Sequence, residues 1–314
     1  MNTLPGVTVI ITAYNYGRYL GDAISSALAQ TYPALEVLVI DDGSTDNTPE
    51  VAAAFGDRIR YVRQANAGVS RTRNAGLTLA SHEWVVFLDA DDALFPWMVE
   101  VAVQAALNER EAPAVVMGEW VEWREGAESA EDYTQKASSQ VSLVNVRMLI
   151  LRNTLAPTAL LRKSVLLELG GYDASVGGAE DRDMWIRIAA RYHFILLDQV
   201  FYRFRLGATS LSHQPQKQEI VTQRVLEKAR NNPDITQPFW VWRESAAVQL
   251  YQSAMNYSMA GLHGKALALV LQSVWLWPWL SGDHRPAWPS LARLRFLIRH
   301  LQFSLLGRQT KAVR

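Results

Sequence analysis

Four short apolar runs, each passing into a polar cluster and then a helix-forming stretch or a turn, restrict this chain to α/β architectures. Val7–Ile11 leads into Thr12-Ala13-Tyr14-Asn15 and a helical stretch from Arg18 to about Gln30. Glu36–Ile40 leads into Asp41-Asp42-Gly43-Ser44-Thr45-Asp46, and a helix opens near Thr48-Pro49, proline being favoured in a first turn. Arg60–Val62 reads as a third strand, Asn66-Ala67-Gly68 precedes a helix from about Val69 to Ala80, and Val85–Leu88 is the fourth strand. Near-continuous apolar strands alternating with helices predict a mainly parallel sheet covered on both faces. Such sheets bind ligands beyond the carboxyl ends of their strands, where these polar clusters fall. With 314 residues, 49% of them hydrophobic and 20% charged, the chain has material for one large domain of this kind and an appendage.

The fourth strand ends in Asp89-Ala90-Asp91-Asp92. Inside an apolar sheet three carboxylates would repel one another and resist desolvation, so their place is the open carboxyl end of the strand, where a cation neutralises them. Hard oxygen donors favour Mg²⁺ or Mn²⁺, and a site of that kind keeps positions for water and substrate phosphates, which makes a diphosphate the natural ligand. The residues alone fit equally a solvated acidic loop leading into the helix near Pro96, since acids are favoured in first turns.

Past Pro96 a helix to about Arg110 precedes a strand at Ala114–Gly118 and an acidic loop from Glu125 to Asp132. Leu160–Leu169 reads as a strand end and short helix closed by Gly170-Gly171. Gly177-Gly178-Ala179 then delivers Glu180-Asp181 to the start of an amphipathic helix, where acids also simply complement the helix dipole. Trp185 in that helix is either a stacking face for a sugar or a core side chain. Beyond about His213 the pattern is helical only. Trp242–Leu280 holds two helical stretches parted by Gly261-Leu262-His263-Gly264, with Tyr251, Tyr257, Gly261, Ala266 and Pro278 spaced much like one tetratricopeptide-type hairpin. The basic segment from Arg285 to Arg314 sets Leu291, Leu294, Ile298, Leu301 and Leu305 on one helical face, a pattern suited to an anionic membrane surface or to packing on the hairpin.

Composition removes several classes of function. Cysteine is absent, which excludes disulfides, thiolate metal sites and a cysteine nucleophile. The 31 basic and 31 acidic residues cancel, so no net field attracts nucleic acid and no nucleic-acid partner is expected. Met1–Gly6 has neither a basic n-region nor a long apolar run, so no secretory signal is expected. The mostly apolar run Ala266–Leu280 carries Gln272 and Ser273 and meets Pro278, short of the roughly 20 residues that span a bilayer. These features predict a cytoplasmic protein, free or held at the inner face of the membrane by its basic tail.

Taken in order, the clusters resemble the family-2 glycosyltransferases of GT-A fold, over roughly Val7 to Ser212. Thr12-Ala13-Tyr14-Asn15 and Asp41-Asp42-Gly43-Ser44 resemble that family's nucleotide-base pocket, and Asn66-x-Gly68 with Arg71-x-Arg73-Asn74 resembles its phosphate-and-ribose segment. Asp89-x-Asp91-Asp92 resembles its metal motif and Glu180-Asp181 its acceptor-side pair. The resemblance implies a Rossmann-like, mainly parallel GT-A domain over residues 1–213 and an all-helical C-terminal region over 214–314. It further implies an inverting, Mn²⁺- or Mg²⁺-dependent transfer of a hexosyl or related group. The donor is a nucleotide-diphosphate sugar and the acceptor a hydroxyl of a saccharide or lipid-linked molecule, in cell-surface polysaccharide or glycolipid synthesis.

By the same resemblance Tyr14 covers the base and Asp42 accepts its N–H edge, against plainer roles in core packing and turn capping. Arg73 faces the diphosphate, Asp91 with Asp92 holds the ion, and Asp89 binds ribose hydroxyls. Asp181 takes the acceptor proton, with Glu180 the other candidate. Tyr202-Arg203-Phe204-Arg205 and Thr209–His213 form a loop that closes over the donor, where His213 either completes the metal site or stays in solvent. Two rival readings remain. A sugar-nucleotide nucleotidyltransferase would need a Gly-rich phosphate loop with a lysine soon after the first strand, which Thr12-Ala13-Tyr14-Asn15 does not supply. A membrane-associated assembly protein with a degenerate transferase domain would have no need of every carboxylate cluster.

Overall fold

The structure, a computed structural model, describes residues 4–123, 133–136, 140–152, 155, 157–206, 214–278, 293 and 296. The chain forms two compact units, Met1–Leu149 with Thr154–Gly207, and Ile150–Asn153 with Ala208–Arg314.

The first unit opens as the sequence predicts. In order come β1 (Val7–Ala13), α1 (Gly17–Leu28), β2 (Leu35–Asp41), α2 (Thr48–Ala53), β3 (Arg60–Arg63), α3 (Val69–Leu79) and β4 (Trp84–Asp89). The chain continues through β5 (Ala93–Leu94), α4 (Met98–Asn108), β6 (Val115–Trp123), β7 (Val141–Leu143), α5 (Val146–Leu151), β8 (Ala159–Arg162), α6 (Lys163–Glu168), α7 (Glu180–Ala189) and β9 (Phe194–Arg205). One sheet takes the order β3-β2-β1-β4-β8-β6-β9-β5, with β7 paired to β9. Val9, Ile10 and Ile11 of β1, Leu38, Val39 and Ile40 of β2, and Val85, Val86 and Leu88 of β4 are completely or almost completely buried, because helices cover both faces there.

The sheet is more mixed than its first half suggests. Strands β1 to β4 are mutually parallel, as are β6 and β9, whereas β8 runs antiparallel to both β4 and β6 and β5 and β7 run antiparallel to β9. Between β6 and β8 the chain adds β7, antiparallel to β9, and α5; β8 then starts at the carboxyl edge of β4 and β6 and runs against both.

A second difference concerns Tyr202-Arg203-Phe204-Arg205. These residues are the end of β9, paired with β5 and β6, and Tyr202 is 1% exposed, so they are no closing loop. The two arginines obscure the strand pattern in the sequence, yet each lies flat on an aromatic ring, Arg203 over Phe95 at 4.7 Å and Arg205 over Trp123 at 3.7 Å. Their guanidiniums thereby cover the sheet instead of interrupting it. Residues Thr209–His213 and the acidic loop Glu125–Asp132 lie outside the described residues.

The second unit contains α8 (Pro215–Arg230), α9 (Phe239–Met259) and α10 (His263–Leu276). The spacing read as a hairpin is the α9–α10 contact: Tyr251, Ala254 and Tyr257 pack with Ala266, Leu269 and Val270. Of the basic tail, Arg293 and Phe296 are described, and both pack on this hairpin. Arg293 donates to the Trp277 carbonyl (2.7 Å), and Phe296 meets Tyr251 edge-on at 5.9 Å between ring centres. Among the described residues no helix is long and apolar enough to cross a membrane.

The β2 carboxyl end turns sharply at Gly43, whose φ is +78°, and a Cβ there would sit 2.9 Å from the Asn66 nitrogen and 3.1 Å from the Gln64 carbonyl. Gly56 has a comparable φ of +54° but open space around it. Gly56→Ala is expected to lose only the left-handed strain, roughly 1–2 kcal/mol in urea unfolding, and Gly43→Ala distinctly more, because backbone must also move. Equal losses would remove the close packing of these two loops as a structural requirement.

Candidate active site

The carboxyl ends of β1, β2 and β4 meet in a network of short polar contacts. Ala13 accepts the Asp42 N–H (2.8 Å) through its carbonyl. Asn15, the only described non-glycine residue with positive φ (57°), donates its N–H to Ser44 Oγ (2.9 Å) and accepts the Thr45 N–H (2.8 Å) on its side chain. Tyr14 between them is 46% exposed, so it is no core residue and its ring stands available to a ligand. Asp42 is buried and already well engaged. Its Oδ1 accepts from Gln64 Nε2 (2.7 Å) and the Ala67 N–H (2.8 Å), its Oδ2 from the Gly68 N–H (2.8 Å). It therefore shapes the Asn66–Gly68 turn at the head of α3, and Asn66 and Gly68 themselves are exposed.

Arg73 is placed differently from what the sequence suggests. Facing no open space, it is buried among carboxylates: Nη1 donates to Glu180 Oε1 (2.9 Å) and Nη2 to Asp89 Oδ1 (3.0 Å). Those two charges hold its guanidinium pKa above the usual arginine value despite burial. Thr12 Oγ1 also donates to Asp89 Oδ1, at 3.3 Å. Next to Arg73, Asn74 exchanges two hydrogen bonds with the backbone of Tyr172, donating to its carbonyl (2.8 Å) and accepting its N–H (2.7 Å). Helix α3 thus ties the end of β4 to the segment that leads into α7.

The three carboxylates after β4 have separate surroundings. Asp89 keeps about a third of its side chain open and Asp91 is half-buried. Asp92 is 1% exposed; its Oδ1 accepts the Arg205 N–H (2.9 Å), and its Oδ2 is buried with no hydrogen-bond partner. Arg205 clamps this turn further by donating Nε to the Asp91 carbonyl (2.8 Å) and Nη2 to Asp22 (2.9 Å). Burial, then the charge of Asp89, pushes the Asp91 carboxyl up to about 6, and the same two causes with Asp91 push Asp92 well above the usual carboxylate range. The cluster is short of positive charge. Among the described residues no three His, Cys, Asp or Glu side chains converge into a metal cage. His213 lies outside the described residues.

At the start of α7, Glu180 is fully engaged at both oxygens, with Arg73 on Oε1 and the Gly178 N–H on Oε2 (3.0 Å). Asp181 keeps an open side: it is half-buried, and its Oδ1 accepts the Arg182 N–H (2.7 Å). Burial first, then Glu180, push its pKa up to about 6 against the pull of Arg73. Trp185 is 1% exposed and packs edge-on against Phe194, so it belongs to the core. The clamp between Asp22 and Arg205 escapes sequence reasoning, since 183 positions separate the two; Asp22 stands in none of the motifs singled out, and Arg205 reads as part of a closing loop.

A mixed α/β sheet with flanking helices and a helical C-terminal part is the architecture of the GT-A glycosyltransferases. Residues 1–349 of S. aureus TarS in complex with UDP match at a TM-score of 0.62 and 19% identity, over 98% of this chain and 93% of that one. The mannosyltransferase PcManGT from Pyrobaculum calidifontis, in complex with GDP-Man and Mn²⁺, matches at 0.59 and 18%, over 98% and 89%. The family model of glycosyl transferase family 2 covers residues 8–170, more than half of the chain. The chain belongs to that family. Uncharacterized glycosyltransferase YibD of Escherichia coli (strain K12) is 39% identical over 123 residues, 38% of this chain and 36% of that protein. An uncharacterized glycosyltransferase of Rickettsia felis is 31% identical over 196 residues, 60% of this chain and 33% of that protein. The chain thus spans about a third of the length of these two relatives.

The Asp91 shift carries a signed consequence. Its folded-state pKa of about 6 exceeds the ordinary 3.8, so the folded chain binds this proton more tightly than the unfolded chain. The stability due to it is complete below about pH 4 and lost as pH rises through about 6. Without divalent cations, Asp91→Asn is expected to raise the urea midpoint at neutral pH and leave it unchanged near pH 4. A gain of equal size at both pH values would mean that Asp91 is not strained by its surroundings.

Proposed function

We propose that this glycosyltransferase moves a sugar from a nucleotide-diphosphate donor to an acceptor hydroxyl with inversion at the anomeric carbon. The observation that carries this reading is the Arg73 bridge, which brings the carboxylates at the end of β4 beside the Glu180-Asp181 pair at the start of α7. Inversion needs a base on the face of the sugar opposite the leaving diphosphate, and an oxocarbenium-like state forms between the two. Asp181 is that base: it keeps an open side, whereas Glu180 is held at both oxygens. A pKa of about 6 leaves it ionised at neutral pH yet more basic than an ordinary aspartate, which suits proton abstraction.

On the donor side, the exposed Tyr14 covers the base and Asp42 shapes the turn beside it. Asp89 meets the ribose, and Asn66 and Gly68 line the phosphate path at the head of α3. A divalent cation, Mn²⁺ or Mg²⁺, fits this carboxylate cluster that is short of positive charge, with Asp91 as ligand and the unpartnered Oδ2 of Asp92 behind it. Such ions are commonly held by one or two carboxylates plus substrate phosphates, so a three-residue protein cage is not required. When bound, the ion neutralises the departing diphosphate. His213 remains a candidate further ligand. The UDP and GDP-Man complexes of the similar structures, one with Mn²⁺, support this donor class.

The acceptor in this reading is a saccharide or lipid-linked hydroxyl used in cell-surface polysaccharide or glycolipid synthesis, met at the inner face of the membrane. Phe239, Trp240 and Trp275, all exposed at one end of the α9–α10 hairpin where Arg243 bonds the Leu276 carbonyl, support interfacial attachment, as does the basic tail.

Two measurements test the core of the proposal. Asp91→Ala is expected to abolish the Mn²⁺-dependent part of nucleoside diphosphate binding in calorimetry; affinities that ignore Mn²⁺ in both proteins would remove the metal assignment. Asp181→Asn is expected to keep donor binding while turnover falls roughly 10²-fold or more. Near-normal turnover would move the base to Glu180.

A further inference from the structure

We propose that Arg73 is a positioning residue that selects the base: by holding Glu180 on one nitrogen and Asp89 on the other, it turns Glu180 away and leaves Asp181 open to the acceptor. The inference rests on the reading of Asp181 as base and deepens it. Both terminal nitrogens of Arg73 are taken, at 2.9 and 3.0 Å, and its buried Nε has no partner, so the two carboxylates alone orient the fork. The arginine is itself held in register. Ser70, one turn earlier on α3, donates to the Asp173 carbonyl at 3.4 Å, and Asn74 locks the Tyr172 backbone. The Arg73 guanidinium lies 5.4 Å from the centre of the Tyr172 ring. One face of α3 therefore grips the segment that ends in Glu180-Asp181, and the same arginine reads the state of the β4 end through Asp89.

Electrostatics points the same way. The groups around Asp181 are Glu180 and Arg182 on its own helix, Arg73 on α3, Asp89 on β4, Tyr172 before α7 and Tyr202 on β9. After burial, Glu180 and Asp89 raise the Asp181 pKa, while Arg73 lowers it. An arginine that merely filled space would not set this balance.

The test is a ¹³C NMR titration of the full chain with carboxyl-labelled aspartate, the Asp181 signal being identified by its loss in Asp181→Asn. Arg73→Met is expected to move the Asp181 titration upward by roughly one unit, since Arg73 lowers it and a nearby opposite charge typically holds a carboxylate down by about that much or more. Glu180→Gln is expected to move it downward, and Arg73→Lys, which keeps the charge but cannot span both partners, to separate charge from geometry: its titration stays near wild type while turnover falls, because Glu180 is no longer held aside. If Arg73→Met does not fold, the double variant Arg73→Met with Glu180→Gln relieves the more buried of the two carboxylates left unpaired; its titration is expected above that of Glu180→Gln alone. An Asp181 titration unmoved by removal of Arg73, singly or in the double variant, overturns the proposal. Failure of the base assignment is separate: it shows as normal turnover by Asp181→Asn and does not alter these titrations.

Discussion

A buried guanidinium between two carboxylates organises the first unit. Arg73 is shielded from water, so its charge is tolerable only with Glu180 and Asp89 in contact, and they in turn would be left uncompensated without it. Removing one partner of such a buried pair typically costs about 3–5 kcal/mol, far more than a surface ion pair is worth. The contact brings helix α3, the end of β4 and the start of α7 to one point. Asp89 is 16 positions from Arg73 in the chain, whereas Glu180 is 107 positions away. The geometry on which the proposed chemistry depends is thus tied to the stability of the fold.

The loops around this point are held by a second layer of polar contacts. Asp41, completely buried, accepts the Ser44 N–H (2.8 Å) and the Tyr61 hydroxyl (2.5 Å), while Asp42 holds the turn at Asn66–Gly68. Arg205, resting between the rings of Tyr19 and Trp123, fastens the Asp91-Asp92 turn to β9. The loops to which the proposal assigns a base, a diphosphate and an ion are in this way held by the protein's own contacts, and held groups are where preorganised sites gain over flexible ones. The strain stays in Asp91 and Asp92, whose carboxyl pKa values are raised by burial first and by neighbouring carboxylates second.

Much of this was legible in the residues. Apolar runs such as Val85–Leu88 announce buried strands because nothing else in water tolerates them, and carboxylates directly after such a run must lie at its open end. The order of the clusters carried the family. What the pattern misled on was Arg203 and Arg205, charged residues inside β9 whose cost disappears only against Phe95 and Trp123, and the backward direction of β8, which depends on where the chain re-enters the sheet.

The sequence by itself determined which strands are buried, which polar clusters stand at their carboxyl ends, and hence the architecture and the family, because hydrophobic periodicity and local turn chemistry act over a few residues. Only the tertiary structure decided what each charged residue faces. Arg73, read as facing the diphosphate, is the partner of Asp89 and Glu180; Asp42, open to a base contact or a turn, holds a turn; and Trp185, open to a sugar face or the core, fills the core. The physical reason is that a buried charge is governed by its partners in space, at distances of about 3 Å, and those partners lie 16, 26 and 107 positions away along the chain.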